Sequence, residues 1–191
     1  MRKYTNQDFE LFKKEVMDNN AKNPWIISEL ELLHKFEVEV NHETALHQVI
    51  ELNKKYGTRL SRGQSKLPDE CDELANYIAS DSFQNRIKTT DKDVAASLVM
   101  DLAKAAKTRG RFLLSFASKY CHHCNPNMYP IFDSVNENYL KEHHSYSGKR
   151  DYRKYMDAYS LFCKDIEVDL ESATDKEIGF WVDKFINNIE K

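Results

Sequence analysis

Apolar residues recur at intervals of three and four along nearly the whole chain, and that spacing predicts helices rather than strands. Thr5 followed by Asp8 forms a capping signal, after which Phe9, Phe12 and Val16 line one side of a first helix. Pro24 opens a second helix carrying Ile26, Leu30 and Leu33. Residues 36–40, FEVEV, alternate as a strand would, although no neighbouring partner strand is evident. A third helix follows Asn41, with Ala45, Leu46, Val49 and Ile50 facing inward. Pro68 starts a short acidic helix with Leu74, Tyr77 and Ile78 as its core side, and residues 81–90 form a further short helix or turn. Asp91 and Asp93 then introduce DVAASLVMDLAKAAK, where Val94, Leu98, Leu102 and Ala105 recur at helical spacing.

That helix must end near Lys107, because Thr108, Arg109 and Gly110 supply a polar turn with the one residue that accepts positive φ cheaply. Arg111 begins the stretch RFLLSFASKYCHHCNPNMYPIFDSVNENYL. It reads as a helix, a polar turn, an extended crossing around Pro130 and an aspartate, Asp133, just before the next helix. Phe112, Leu113, Phe116, Ala117 and Tyr120 fall on one broad arc of the first of these helices, with Lys119 at its edge. Ser134 and Glu137 fit a capping box, which would put Asp133 one residue before the cap. Beyond it, HHSYSGKRDYRK reads as a loop running into a helix from about Asp151 to Lys164. Thr174 and Glu177 repeat the capping-box pattern before a last helix that buries Ile178, Trp181, Val182, Phe185 and Ile189.

Composition sharpens this into a fold class. With only five glycines and four prolines, 41% hydrophobic residues and 31% charged ones, the expectation is an all-α, multi-helix globular protein. Residues 1–191 form a single domain of one or two lobes around a cleft. No run of about 18 apolar residues occurs, and MRKYTNQDFE has no apolar signal region, so a cytoplasmic location without membrane contact is expected. Cys71, Cys121, Cys124 and Cys163 are too scattered for a disulfide framework and read as reduced thiols. The net charge of −3 conceals an asymmetry. Residues 101–154 carry 10 Lys+Arg against 5 Asp+Glu, whereas 155–191 carry 4 against 9.

Several motifs can be weighed against plainer explanations. Cys121-His122-His123-Cys124 has the spacing of half a zinc site, which His143 and His144 could complete, but no second C-x-x-C exists and Cys121 can simply be core. Asn125 after Cys124 excludes the haem-attachment pattern. His42 and His47 are five residues apart, where a zinc-protease helix needs four. No Walker or dinucleotide glycine pattern occurs, and no cofactor is expected. The basic, glycine-containing segment from Lys54 to Lys66 suits either a solvated loop or phosphate contact. Around the bend after the 94–107 helix, Lys104, Lys107, Arg109 and Arg111 can offer cations and backbone N–H groups to a phosphate. Asp133 can serve as an ionised carboxylate steadying a sugar cation, or as a helix cap. Lys119, bordering aromatics, can be a desolvated imine-forming amine, or can snorkel into water.

Helix 94–107, the hairpin Thr108-Arg109-Gly110-Arg111, helix 111–122 and PIFDSVNENYL together resemble the helix-hairpin-helix DNA glycosylases of base-excision repair, in particular divergent relatives of the 8-oxoguanine glycosylases. The resemblance spans about 50 residues, near 94–122 and onward to Leu140. It implies an all-α, two-lobed protein that grips damaged duplex DNA by its hairpin and flips a base into the cleft. On that resemblance Asp133, in Ile131-Phe132-Asp133-Ser134-Val135, is similar to the catalytic aspartate of the family's Val-Asp-Thr-His-Val segment. Lys119 is the Schiff-base nucleophile that adds lyase activity. Lys107, Arg109, Gly110 and Arg111 lie on phosphate, and Tyr120, Tyr129 and Phe132 form the base pocket. The family's hairpin is usually Leu-Pro-Gly-x-Gly, where this chain has one glycine among arginines. Its lysine lies about one turn beyond the hairpin, whereas Lys119 lies more than two turns beyond Gly110. Competing readings are a non-catalytic helix-hairpin-helix module that binds nucleic acid, and a metal-dependent protein using Cys121 to Cys124.

Overall fold

The computed structural model describes residues 4–36, 38–58, 60, 69–106, 112–148 and 150–189. Among them the chain forms ten α-helices and no strand. The helices are α1 (Asn6–Asp18), α2 (Pro24–Lys35), α3 (His42–Tyr56), α4 (Asp69–Ile78), α5 (Asp81–Arg86), α6 (Lys92–Ala105), α7 (Leu114–Cys124), α8 (Ser134–His143), α9 (Tyr152–Asp165) and α10 (Ile178–Ile189). Their starts follow from capping chemistry. Thr5 and Asp8 close a reciprocal capping box on α1, Pro24 opens α2, and Asn41, Asp91 and Asp151 accept backbone N–H groups at the starts of α3, α6 and α9.

The structure corrects the sequence reading in several places. Around Phe36, Val38 and Val40 no strand forms, and among the described residues there is no other strand for them to pair with. The apolar side chains there pack onto the core, and the Val40 N–H donates to Gln84 Oε1 at 3.3 Å. Lys54 to Tyr56 belong to the last turn of α3, which ends at Gly57 in the left-handed region (φ +57°) with its N–H donating to the Asn53 carbonyl. On α6 the buried face is Ala95, Leu98, Val99 and Leu102, while Val94 and Ala105 point outward. Phe112 precedes α7 and is 52% exposed. Asp133 itself caps α8, in place of Ser134. Ahead of α10 it is the Asp175 carboxylate that receives the Glu177 N–H, at 2.9 Å, while the Glu177 carboxylate accepts from the Trp181 indole. The expected hairpin, with Lys107, Arg109, Gly110 and Arg111, lies outside the described residues, as does most of the basic segment after Gly57.

The buried apolar side chains form one contiguous cluster. Within it α3 packs on α4 and α7, α6 lies against α4, α7 and α9, and α10 lies against α1 and α8. The start of α10 docks under the turn after α7. Gly179 donates its N–H to Asn127 Oδ1 at 2.8 Å, and the space a Cβ would need is occupied 2.0 Å away by the Pro126 carbonyl oxygen. Only glycine permits that approach.

Candidate functional site

An extended segment from Tyr129 to Phe132 runs alongside α7, and its backbone groups are taken up by side chains. The Tyr129 carbonyl pairs with His122 Nδ1 at 2.8 Å. The Pro130 carbonyl accepts from the Tyr152 hydroxyl at 2.7 Å, and the Ile131 carbonyl accepts from Asn136 Nδ2 and the Tyr155 hydroxyl. The Phe132 N–H donates to Ser118 Oγ at 2.9 Å. A segment with no strand partner thereby has the carbonyls of Tyr129, Pro130 and Ile131 and the Phe132 N–H taken up by side chains. Its end, Asp133, is delivered next to the residue that follows Ser118.

That neighbour is Lys119. Its Nζ lies 3.6 Å from Asp133 Oδ2 and donates to Ser115 Oγ at 3.1 Å, with the Tyr56 ring centroid 5.2 Å away. The Lys119 side chain is 10% exposed and that of Asp133 is 25% exposed. Asp133 Oδ1 accepts the N–H groups of Val135 and Asn136, so the cap role and the lysine contact fall on different oxygens of one carboxylate. The two residues singled out from sequence are thus brought together.

Tyr56, Lys119 and Asp133 form a wall shared by two cavities. The larger, of about 440 Å³, continues past Phe112, Phe132, Glu137 and Arg150. The other, of about 290 Å³, is bordered by Trp25, Glu29, Lys184, Asn187 and Asn188. At its base Lys184 Nζ lies 2.9 Å from Asp183 Oδ2 and 3.0 Å from Glu29 Oε2, all three residues being buried. Asp183 Oδ1 also accepts from Asn136 Nδ2 at 2.5 Å. Burial works against the Lys184 charge, but Asp183 and Glu29 outweigh it and hold the ammonium above its ordinary pKa. Burial, with help from Glu29, pushes the Tyr56 phenol upward, so it is a neutral hydroxyl. At the rim Trp25 is 54% exposed, with Lys55 Nζ 3.9 Å from its ring centroid.

The other expected site residues separate. Tyr120 is fully buried and donates to Gln48 Oε1 at 2.6 Å; Tyr129 is equally buried, its hydroxyl donating to the Ile87 carbonyl at 3.2 Å. Both are core side chains with committed hydroxyls, so neither can stack on an inserted ring, which corrects their assignment to a base pocket. Phe132 is 6% exposed, stacks edge-on against Tyr155 and reaches the larger cavity. Cys121 and Cys124 are free thiols whose pKa values burial drives up, and His143 and His144 pack against Tyr139. Among the described residues no three His, Cys, Asp or Glu side chains gather to hold a metal, so the zinc reading of Cys121 to Cys124 finds no ligand set. No helix among those residues is long and apolar enough to cross a membrane.

Sequence reasoning missed Trp25, Glu29, Tyr56, Asp183 and Lys184. One signal was available. The pair Asp183-Lys184 interrupts IGFWVDKFINNI, a helix apolar on most of its circumference, and charges so placed must be buried and paired. Glu29 carries no such mark, since its surroundings in α2 are those of an ordinary amphipathic helix.

A family model described as an N-terminal domain, HI_0787_N, matches residues 10–128. No curated protein and no solved structure matches the chain.

Proposed function

Because the chain belongs to the HI_0787_N family, whose description names a position in a protein and not a chemistry, we propose its function from the cleft itself: a DNA glycosylase that removes a damaged base, with Lys119 as nucleophile and Asp133 as its partner carboxylate. The observation that carries this reading is the 3.6 Å approach of a nearly buried amine to a carboxylate on a wall open to two cavities. An amine attacks only when unprotonated, and the neighbouring carboxylate is placed to take its proton.

In the proposed sequence the Lys119 ammonium passes a proton to Asp133, and Nζ bonds to the deoxyribose C1′ as the C1′–N bond to the base breaks. The base leaves with the bonding electrons and is protonated in turn from Asp133. Loss of a second proton from Nζ to solvent and opening of the sugar, with O4′ gaining a proton, leave a Schiff base between Nζ and C1′. Removal of a C2′ proton then expels the 3′ phosphate and cuts the strand. Asp133 also stabilises positive charge developing on the sugar. Base removal by water at the same carboxylate is the simpler variant if Lys119 serves only to hold it.

The test uses duplex oligonucleotides that each bear one defined lesion. Borohydride should trap a covalent protein–DNA adduct that Lys119→Ala abolishes, and Asp133→Asn should slow base release by about 100-fold or more. Absence of base release across the lesion panel would remove the enzymatic reading. Salt-sensitive DNA binding on its own would leave a nucleic-acid-binding module.

A further inference from the structure

The floor of the smaller cavity has a specific hydrogen-bonding character. Glu29 Oε2 and Lys184 Nζ sit 3.0 Å apart, an acceptor beside a donor, both buried and both on the cavity wall. The Asp183 carboxylate is the second anionic partner of Lys184 and is itself held by Asn136, which fixes the pair's orientation. Asn187 reinforces this, donating to Asn136 Oδ1 at 2.8 Å and to the Asp183 carbonyl at 2.9 Å. A fixed acceptor–donor pair matches a ring edge that presents an N–H beside a C=O. At the mouth the half-exposed Trp25 indole offers an aromatic surface to a flat ring. The cavity's volume of about 290 Å³ suits a single heterocycle, and Lys119 and Asp133 are also on its wall, where an attached sugar would sit.

We propose that this cavity is a recognition pocket for a planar nitrogen heterocycle carrying an adjacent N–H and C=O on one edge, stacked on Trp25 and read by Glu29 and Lys184. The proposal rests on the reading of Lys119 and Asp133 as the groups that meet the sugar. It moves the base-binding surface from Tyr120 and Tyr129 to α2 and α10. The ring reaches the pocket either as a free nucleoside or as a nucleotide extruded from DNA, and the chemistry that recognises it is the same.

Inosine and 1-methylinosine test this, since one methyl group blocks the N–H and leaves ring, carbonyl and sugar in place. Equilibrium dialysis on the full chain should show inosine binding at least about tenfold tighter. Glu29→Gln should shrink that preference, and Trp25→Ala, at an exposed position, should weaken both nucleosides about equally. Equal binding of the two, or no binding of either together with no preference between the same two bases in oligonucleotides, overturns the proposal. If Glu29→Gln fails to fold, the comparison on the unaltered protein and on Trp25→Ala still decides. Oligonucleotides carrying the same two bases supply the second arm. A preference among nucleosides alone, with no base release or trapped adduct, supports the pocket and removes the glycosylase reading. A preference in both arms supports both. Base release from lesions without any preference for the unblocked edge overturns the pocket and leaves the glycosylase reading standing.

Discussion

Asp133 directs Oδ1 to the start of its own helix and Oδ2 toward Lys119, 3.6 Å away. The division lets two substitutions separate the roles. Asp133→Asn keeps an oxygen that can accept the Val135 and Asn136 N–H groups, because asparagine caps as well as aspartate. It should cost about 1 kcal/mol or less, chiefly from the lost partner of Lys119. Asp133→Ala loses cap and partner and should cost about 2 kcal/mol. Urea denaturation measures both. Equal losses would mean that the cap contributes nothing.

Replacing Lys184 by methionine should be the most damaging single change near the smaller cavity. It leaves Glu29 and Asp183 buried without their shared cation, at a cost of about 3–5 kcal/mol. Glu29→Gln should cost less, since Asp183 still partners the lysine. The pH dependence has a definite sign. Burial lowers the Lys184 pKa, but Asp183 and Glu29 raise it further, so the folded value lies above the ordinary 10.5. The stabilisation is therefore fully present below pH 10.5 and is lost as pH rises through the folded value. Alkaline denaturation of the native chain and of Lys184→Met checks this.

His122 and His123 predict the acid limb. Both are buried, and desolvation lowers each from 6.5 to about 3, with like charges nearby adding to the effect. Each is neutral in the folded protein. His122 donates to the Tyr129 carbonyl and His123 to the Lys119 carbonyl. Between pH 6.5 and 3 the unfolded chain binds protons that the folded one does not. Stability is therefore complete above 6.5 and declines as pH falls, by about 1.4 kcal/mol per pH unit for each histidine once well below 6.5. His122→Leu should lower stability at pH 7 yet roughly halve that slope between pH 6 and 4, measured by denaturant titration. An unchanged slope would contradict the burial of His122 as a neutral ring.

Much of this fold was legible because helix periodicity and caps are local. Thr5 with Asp8, Pro24, Asn41 and Asp91 each announce a helix within a few residues. Asp133 and Lys119 were legible for related reasons, one at a helix start and the other on the border of an aromatic arc. What brings them together is not local. Ser118 must bind the Phe132 N–H, and the carbonyls from Tyr129 to Ile131 must find His122, Tyr152, Tyr155 and Asn136. The destination of an aromatic ring is equally non-local. Tyr120 and Tyr129 lie close to the site in sequence, but their hydroxyl partners, Gln48 and Ile87, come from α3 and the end of α5. Phe36, Val38 and Val40 alternate correctly for a strand, but among the described residues no strand is there to pair with them.

Gly179 supplies the last prediction, which joins stability to the smaller cavity. A Cβ there would lie 2.0 Å from the Pro126 carbonyl oxygen and 2.7 Å from the Asn127 nitrogen, both backbone atoms that cannot rotate aside. Gly179→Ala must therefore push the start of α10 away from the turn after α7. That shift breaks the bond from the Gly179 N–H to Asn127 and strains the one from the Tyr159 hydroxyl to the Gly179 carbonyl. Overpacking of this kind costs about 1–3 kcal/mol, and the strained bonds add to it. One turn further along α10 stand Asp183 and Lys184, so the same movement draws the cation away from Glu29 on α2. The variant should accordingly unfold at lower urea concentration and, while still folded, lose the preference for inosine over 1-methylinosine. A loss of stability with that preference intact would show that α10 pivots about its middle, keeping Lys184 in place as its first turn moves.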